Sequence, residues 1–259
     1  MAKETMGRMS ARLAVLLAIL ASFVITGVAW AAERIGVASG VVNKVTATLG
    51  NALQVLRVGD SVFQDQVVET ETESSTQLLF QDETALTVGP GSRVVLDTYV
   101  YDPRRKTGNI VLNATRGAFR FVSGSAQSAS YKIRTPAASI GVRGTIFSWL
   151  ITAVGDLIAV LEEGAFEVCN AAGQCVLVDV PGQAVIIKAD GTILGPFDAG
   201  GQLWNVTAGV PFPLFGREFV NNFSDRPKAI YPQDLNDAVD NAGRVIFVPP
   251  ADPGCMACT

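Results

Sequence analysis

The chain contains no histidine in 259 residues, and that absence excludes a large part of enzyme chemistry. Histidine is the commonest general base and the commonest metal ligand, so Ser-His-Asp and Cys-His hydrolases are excluded and zinc would have to be held by thiolates or carboxylates alone. Cysteine is scarce too: the four present are not spaced as two Cys-x-x-Cys knuckles, so no metal site is expected. Charge is sparse and slightly acidic, with 24 Asp and Glu against 20 Lys and Arg. Nucleic acid needs clustered Lys and Arg to displace its counterions, so it is not an expected partner. The one basic cluster, Arg104-Arg105-Lys106, follows Asp102-Pro103 and reads as a solvated hairpin tip. Helical periodicity is nearly absent before residue 195, which leaves strands to do the work.

Long apolar runs are confined to one place. Lys3, Arg8 and Arg12 precede an uncharged stretch from Leu13 to Ala32, the pattern of a secretory signal. Small residues at −3 and −1 in Ala29-Trp30-Ala31 predict cleavage after Ala31, giving residues 1–31 as a signal peptide. The alternative is an uncleaved anchor, because the run is long enough to span a bilayer. Either way the remainder is expected in the periplasm or outside the cell, touching the membrane only through that segment. No cysteine lies near the cleavage point to carry a lipid.

From residue 32 to 194 short runs of Val, Ile, Leu, Thr and Phe alternate with Gly, Asp, Asn and Pro at intervals of about eight to twelve residues, the rhythm of an all-β domain. A β-solenoid-like stack and a curved β-sandwich both suit it. The expected strands include Gly40–Thr48, Asn109–Ala114, Gly117–Val122, Thr145–Thr152, Leu157–Glu162 and Ala165–Cys169, with a reversal at Glu163-Gly164. Cys169 and Cys175 flank a five-residue turn-forming loop between apolar runs, so a disulfide across a hairpin end is expected in an oxidising compartment. Residues 195–259 are a Phe- and Pro-rich extension opened by Gly195-Pro196. Within it Tyr231–Ala242 carries the signals of one short helix, with Pro232 in the first turn and Gly243 as the stop. Cys255 and Cys258 have redox-motif spacing but lie at the chain end, where a local staple or a link to another chain is the plainer reading.

The most informative stretch is Thr135-Pro136-Ala137-Ala138 followed by Gly141-Val142-Arg143-Gly144-Thr145-Ile146-Phe147. Pro136 biases Thr135 toward extended geometry. Gly141 and Gly144 permit positive φ or close backbone approach around Arg143. Arg143 is the lone charge from Thr135 to Ala153, and its guanidinium is expected to pin the turn on loop carbonyls or on Asp60 or Glu162. The alternative is an anionic ligand. Gly59-Asp60 with Asp65 has the letters of a cation loop without its ligand alternation, so capping is expected there. Adjacent Glu162 and Glu163 would point to opposite faces of a strand and make no catalytic pair.

In these motifs the chain resembles the FecR domain family. Supporting stretches are Val58-Gly59-Asp60-Ser61-Val62, Leu78-Leu79-Phe80-Gln81-Asp82 with Leu86, and Gly89-Pro90-Gly91-Ser92. The resemblance covers roughly Gly36 to Leu194. It implies an extracytoplasmic β module of the kind found in regulators that sense a transporter and control a sigma factor. Thr135, Pro136, Gly141, Val142, Arg143, Gly144, Thr145, Phe147, Gly59 and Asp60 would be its motif residues, structural rather than catalytic. Only twelve residues precede the apolar run, so the cytoplasmic anti-sigma segment of such regulators is not expected. The sequence therefore predicts a non-catalytic recognition or signalling module at the bacterial cell envelope, without cofactor, whose partner is an envelope protein or a glycan. A structural or adhesion role is the alternative.

Overall fold

A computed structural model describes residues 32–199. The signal segment, the Tyr231–Ala242 helix, Cys255 and Cys258 lie outside the described residues. Those described form one mixed sheet of 15 strands, with a 3-10 turn at Ser128–Ser130 and no α-helix among them. No described helix is long and apolar enough to cross a membrane.

The strands are β1 (Arg34–Val42), β2 (Val45–Leu49), β3 (Ala52–Val55), β4 (Ser61–Phe63) and β5 (Gln66–Thr70). There follow β6 (Ser75–Phe80), β7 (Ala85–Val88), β8 (Arg93–Asp102), β9 (Thr107–Val122) and β10 (Tyr131–Arg134). The last are β11 (Ala138–Ile151), β12 (Leu157–Asn170), β13 (Cys175–Val178), β14 (Gln183–Ile187) and β15 (Ile193–Asp198). Every neighbouring pair is antiparallel except β9 with β10, which runs parallel from Tyr131↔Ile110 to Arg134↔Asn113.

The all-β expectation holds, but several expected reversals do not. Asn109–Ala114 and Gly117–Val122 belong to one strand, β9, and the segment 138–151 is continuous strand rather than a Gly-Val-Arg-Gly loop leading into one. Glu163-Gly164 lies inside β12 and reverses nothing. At the glycines the three long strands bend and change partners. The first part of β9 pairs with β8 and β10; past Gly117 it pairs with β7 and β11. The first part of β11 pairs with β10 and the far half of β12, and from Ile146 it pairs with β9. A bulge with a left-handed glycine bends a strand without turning it back, which is why turn chemistry alone misplaced these boundaries.

Two ladders result. One runs β3-β2-β5-β8-β9-β10-β11-β12-β13, and the other β4-β1-β6-β7-β9-β11-β12-β14-β15, with β9, β11 and β12 contributing to both. A single apolar core collects alternate residues of both ladders, among them Val94, Leu112, Ile140 and Val168 from the first and Leu86, Phe121, Trp149 and Leu161 from the second. Phe119, Phe147, Trp149 and Phe166 form its aromatic centre, with ring centroids 5.0–5.2 Å apart along the series. Each such pair adds about 0.5–1.5 kcal/mol beyond area burial.

The bends themselves are close-packed. Gly144 has φ +62° and Gly164 φ +81°, and a Cβ on Gly164 would lie 2.0 Å from the Gly144 carbonyl oxygen. Both conformation and space therefore require glycine at 164. Beyond Leu194, β15 continues through Gly195-Pro196 to Asp198, so the sheet runs past the point where the composition shifts.

Candidate functional site

The motif stretch from Thr135 to Phe147 is spread along the fold rather than gathered at a cleft. Thr135 closes the β10–β11 turn: its N–H donates to the Ala138 carbonyl at 2.8 Å and its hydroxyl lies 3.1 Å from the Ala138 nitrogen. Pro136 is exposed at that turn. Gly141 does not have positive φ, and a Cβ there would make only ordinary contact, 3.9 Å from the Glu167 carbonyl. Val142 and Phe147 are buried in the core. Thr145 is buried at the bend, where its hydroxyl donates to the Glu163 carbonyl at 2.5 Å and its N–H donates to the Ser123 hydroxyl at 3.0 Å.

Arg143 meets neither Asp60 nor Glu162. Opposite Ala165 in register, it lies 3.7 Å from Glu167, with the arginine side chain 60% exposed. An exposed pair of that kind contributes little. Glu162 instead holds a bidentate Arg120, at 2.9 and 3.1 Å, whose side chain is 6% exposed. Asp60 caps its own turn, accepting the Arg57 N–H at 2.8 Å and the Gln54 amide at 3.0 Å, while Gly59 provides φ +89° beside it.

The most strongly organised polar centre lies elsewhere, around Asp82. This carboxylate is fully buried. The Tyr131 hydroxyl donates to Oδ2 at 2.7 Å and the Thr84 hydroxyl to the same oxygen at 2.6 Å. The Tyr99 hydroxyl lies 3.1 Å from Oδ1 and accepts the Asp82 N–H at 2.8 Å. The Asp82 carbonyl is taken in turn by Ser125, from N–H at 2.6 Å and from the hydroxyl at 3.0 Å. The network thus ties the β6–β7 turn to β8, to β10 and to the segment after β9. No ion pair to Asp82 is formed among the described residues; hydroxyls and a backbone N–H carry its charge instead. Burial pushes both tyrosine hydroxyls far above their usual ionisation range, and the Asp82 charge adds to the effect. They are therefore fixed hydrogen-bond donors rather than nucleophiles.

Sequence reading placed Asp82 in a motif but missed this centre. Tyr99 and Tyr131 lie 17 and 49 residues away, with no local pattern linking them. Glu167, Cys169 and Cys175 bring donor atoms within 4.8 Å of one another. The two sulfurs, however, are joined as the expected disulfide across the β12–β13 hairpin, leaving one carboxylate and no thiolate for a metal.

The two ladders differ in their outer faces. That of the first is wet and charged, with Glu69 bonded to Arg93 at 3.3 Å and Arg116 at 3.1 Å, and Arg134 near Asp97 at 3.6 Å. Its edge strand β3 is exposed throughout, including Leu53 at 68% and Val55 at 49%. That of the second is dry.

These features define a class: an all-β module whose buried polar chemistry is committed to holding bends and turns. The family model described as FecR protein matches residues 66–167 of the chain. The matched span holds Asp82, Tyr99, Tyr131 and the glycine bends, and leaves Gly59, Asp60 and both bridged cysteines outside it. Two crystal structures of a candidate anti-sigma factor from Parabacteroides distasonis ATCC 8503 are similar at 16% identity and a TM-score of 0.42, covering 57% of this chain and 67% of that one. No curated protein matches the chain.

Proposed function

We propose that the chain is an exported, non-catalytic recognition module in a signalling pathway at the bacterial cell envelope, and that its partner is a protein. The FecR match over residues 66–167 carries this conclusion. A non-catalytic role is supported by the absence of histidine and by an Asp82 carboxylate saturated with donors in a closed network. Export is supported by the signal pattern of residues 1–31 and by the Cys169–Cys175 disulfide, since such bonds persist in oxidising compartments. The two ladders and their shared core fit the curved sandwich better than the solenoid.

The contact we propose is the β3 edge. Leu56 N–H donates to the Val45 carbonyl, and the register pairs Thr46 with Val55. Antiparallel pairs alternate, so Ala52, Gln54 and Leu56 face β2, while Leu53 and Val55 turn their N–H and C=O groups outward. From Val45 to Leu56 there is no charged residue and no proline, the usual devices that block an edge. An extended segment of the partner would add there by strand pairing, with Leu53 and Val55 supplying apolar contact.

In-cell cross-linking of the tagged full chain should yield a defined protein adduct, lost in V55P, whose proline removes one outward N–H, while the disulfide and far-UV spectrum are retained. An unchanged adduct in V55P would overturn the edge assignment. Self-adducts alone would replace recognition with the structural role.

A further inference from the structure

The dry outer face of the second ladder poses a physical problem. Along β6, β9, β11, β12 and β14 the apolar side chains pointing away from the core are as hidden as those within it: Leu79, Val122, Leu150, Ile158, Val160 and Ile186 are all 8% exposed or less. A sheet face open to water on one side shows alternation of apolar and polar residues, as the first ladder does. Here Ile158 is fully buried on the face opposite the core. Ser148, at the centre of this face, is also fully buried, and its hydroxyl finds no hydrogen-bond partner among the described residues. Adjacent strands of one sheet cannot hide each other's outward side chains to this degree, so a further layer lies on them.

The described residues supply little of that layer. Phe197 and Ala199 alone are packed as partly buried apolar neighbours against the cluster of Ala118, Leu150, Ile158, Val160, Ala184 and Ile186. Phe197 stands opposite Ala184 in the β14–β15 register, at the sheet's edge rather than across it. The chain then continues at Gly200 from a residue already touching the cluster, and its next stretch holds Leu203, Trp204, Val206, Val210, Phe212, Leu214, Phe215 and Phe219.

We infer that the occupant of this face is the chain's own C-terminal extension, residues 200–259, bound as a third layer over the second ladder. The extension is then part of the folded module rather than a linker to something else. The dry face is closed to outside partners, and recognition is left to the wet face and the β3 edge.

A photoreactive phenylalanine analogue can replace Trp204, Phe212 or Phe219 in turn in the full chain, an aromatic-for-aromatic exchange that keeps the extension's character. Irradiation and peptide mapping should give intramolecular adducts on the 146–150, 158–160 or 184–186 segments from at least one position. Adducts confined to the first ladder, to residues 1–32 or to a second copy, or no adducts from any position, would overturn the inference. As a second readout, the full-chain W204D/F212D/F219D protein should bind a hydrophobic dye severalfold more than wild type. Unchanged dye binding would equally count against it.

Discussion

Tyr131→Phe is the most direct test of the Asp82 network, because it deletes one oxygen and little else. The ring is 3% exposed and meets Phe121 edge-on at 5.5 Å, a contact phenylalanine preserves. The lost oxygen donates to Asp82 Oδ2 at 2.7 Å, a hydrogen bond to a buried charge, and removing such a partner costs about 1.5–3 kcal/mol. Thr84 still donates to that oxygen at 2.6 Å, which places the expectation near the middle of the range, about 2 kcal/mol. With a urea m-value of about 2 kcal/mol/M, the midpoint should fall by roughly 1 M with m unchanged. Tyr101→Phe is the control. Its hydroxyl bonds the Ser125 hydroxyl at 2.8 Å at a half-buried site where water can substitute, so its loss should cost no more than about 1 kcal/mol. If Y131F and Y101F fall by the same amount within about 0.5 kcal/mol, the claim that hydroxyl donors stabilise a buried Asp82 charge is refuted.

Three further outcomes follow from the same geometry. Gly164→Ala should destabilise by more than about 3 kcal/mol, since φ +81° and a 2.0 Å approach to Gly144 oppose it together, whereas Gly173→Ala, at φ +77° in open space, should cost only about 1 kcal/mol; thermal denaturation of the pair separates contact from conformation. Replacing both Cys169 and Cys175 by serine should lower stability by about 2 kcal/mol, from the loop-closure entropy of a cross-link six residues apart, and a loss near zero in urea titration would show that the hairpin is already closed in the unfolded chain. The Lys188 ammonium, 2.7 Å away, holds the Asp156 carboxyl below its ordinary value near 3.8, with the Ala189 N–H assisting. The folded-state value is depressed, so its contribution is complete above pH 4 and is lost as pH falls through the folded value: D156N should trail wild type slightly at pH 7 and converge with it near pH 2, and a gap that widens in acid would contradict this.

Legibility in the sequence followed the water. On the first ladder one face is wet, and stretches such as Arg93–Val100 alternate clearly enough to announce strands and their orientation. The cross-strand disulfide was legible for a related reason, since both cysteines flank one short turn. At the bends the glycines were found but their consequence was reversed: Gly144 and Gly164 carry the same local signal as a hairpin turn, and only the partners on either side decide whether the chain turns back or passes on. Arg143 shows the same limit. Its partner, Glu167, is fixed by the β11–β12 register, which no local spacing encodes. The Asp82 centre was beyond reach because it joins four chain segments through hydroxyls, a residue type that fills surfaces and turns equally well.

The dry ladder carries a signal of a different kind. Ile146-Phe147-Ser148-Trp149-Leu150-Ile151 and Leu157-Ile158-Ala159-Val160-Leu161 are almost unbroken apolar runs where a half-wet strand would alternate. Such runs belong to strands covered on both faces. In this chain the inner face of both runs is closed by the common core, and the outer face is closed as well. The runs therefore state, before any coordinate is known, that the sheet requires a second covering layer.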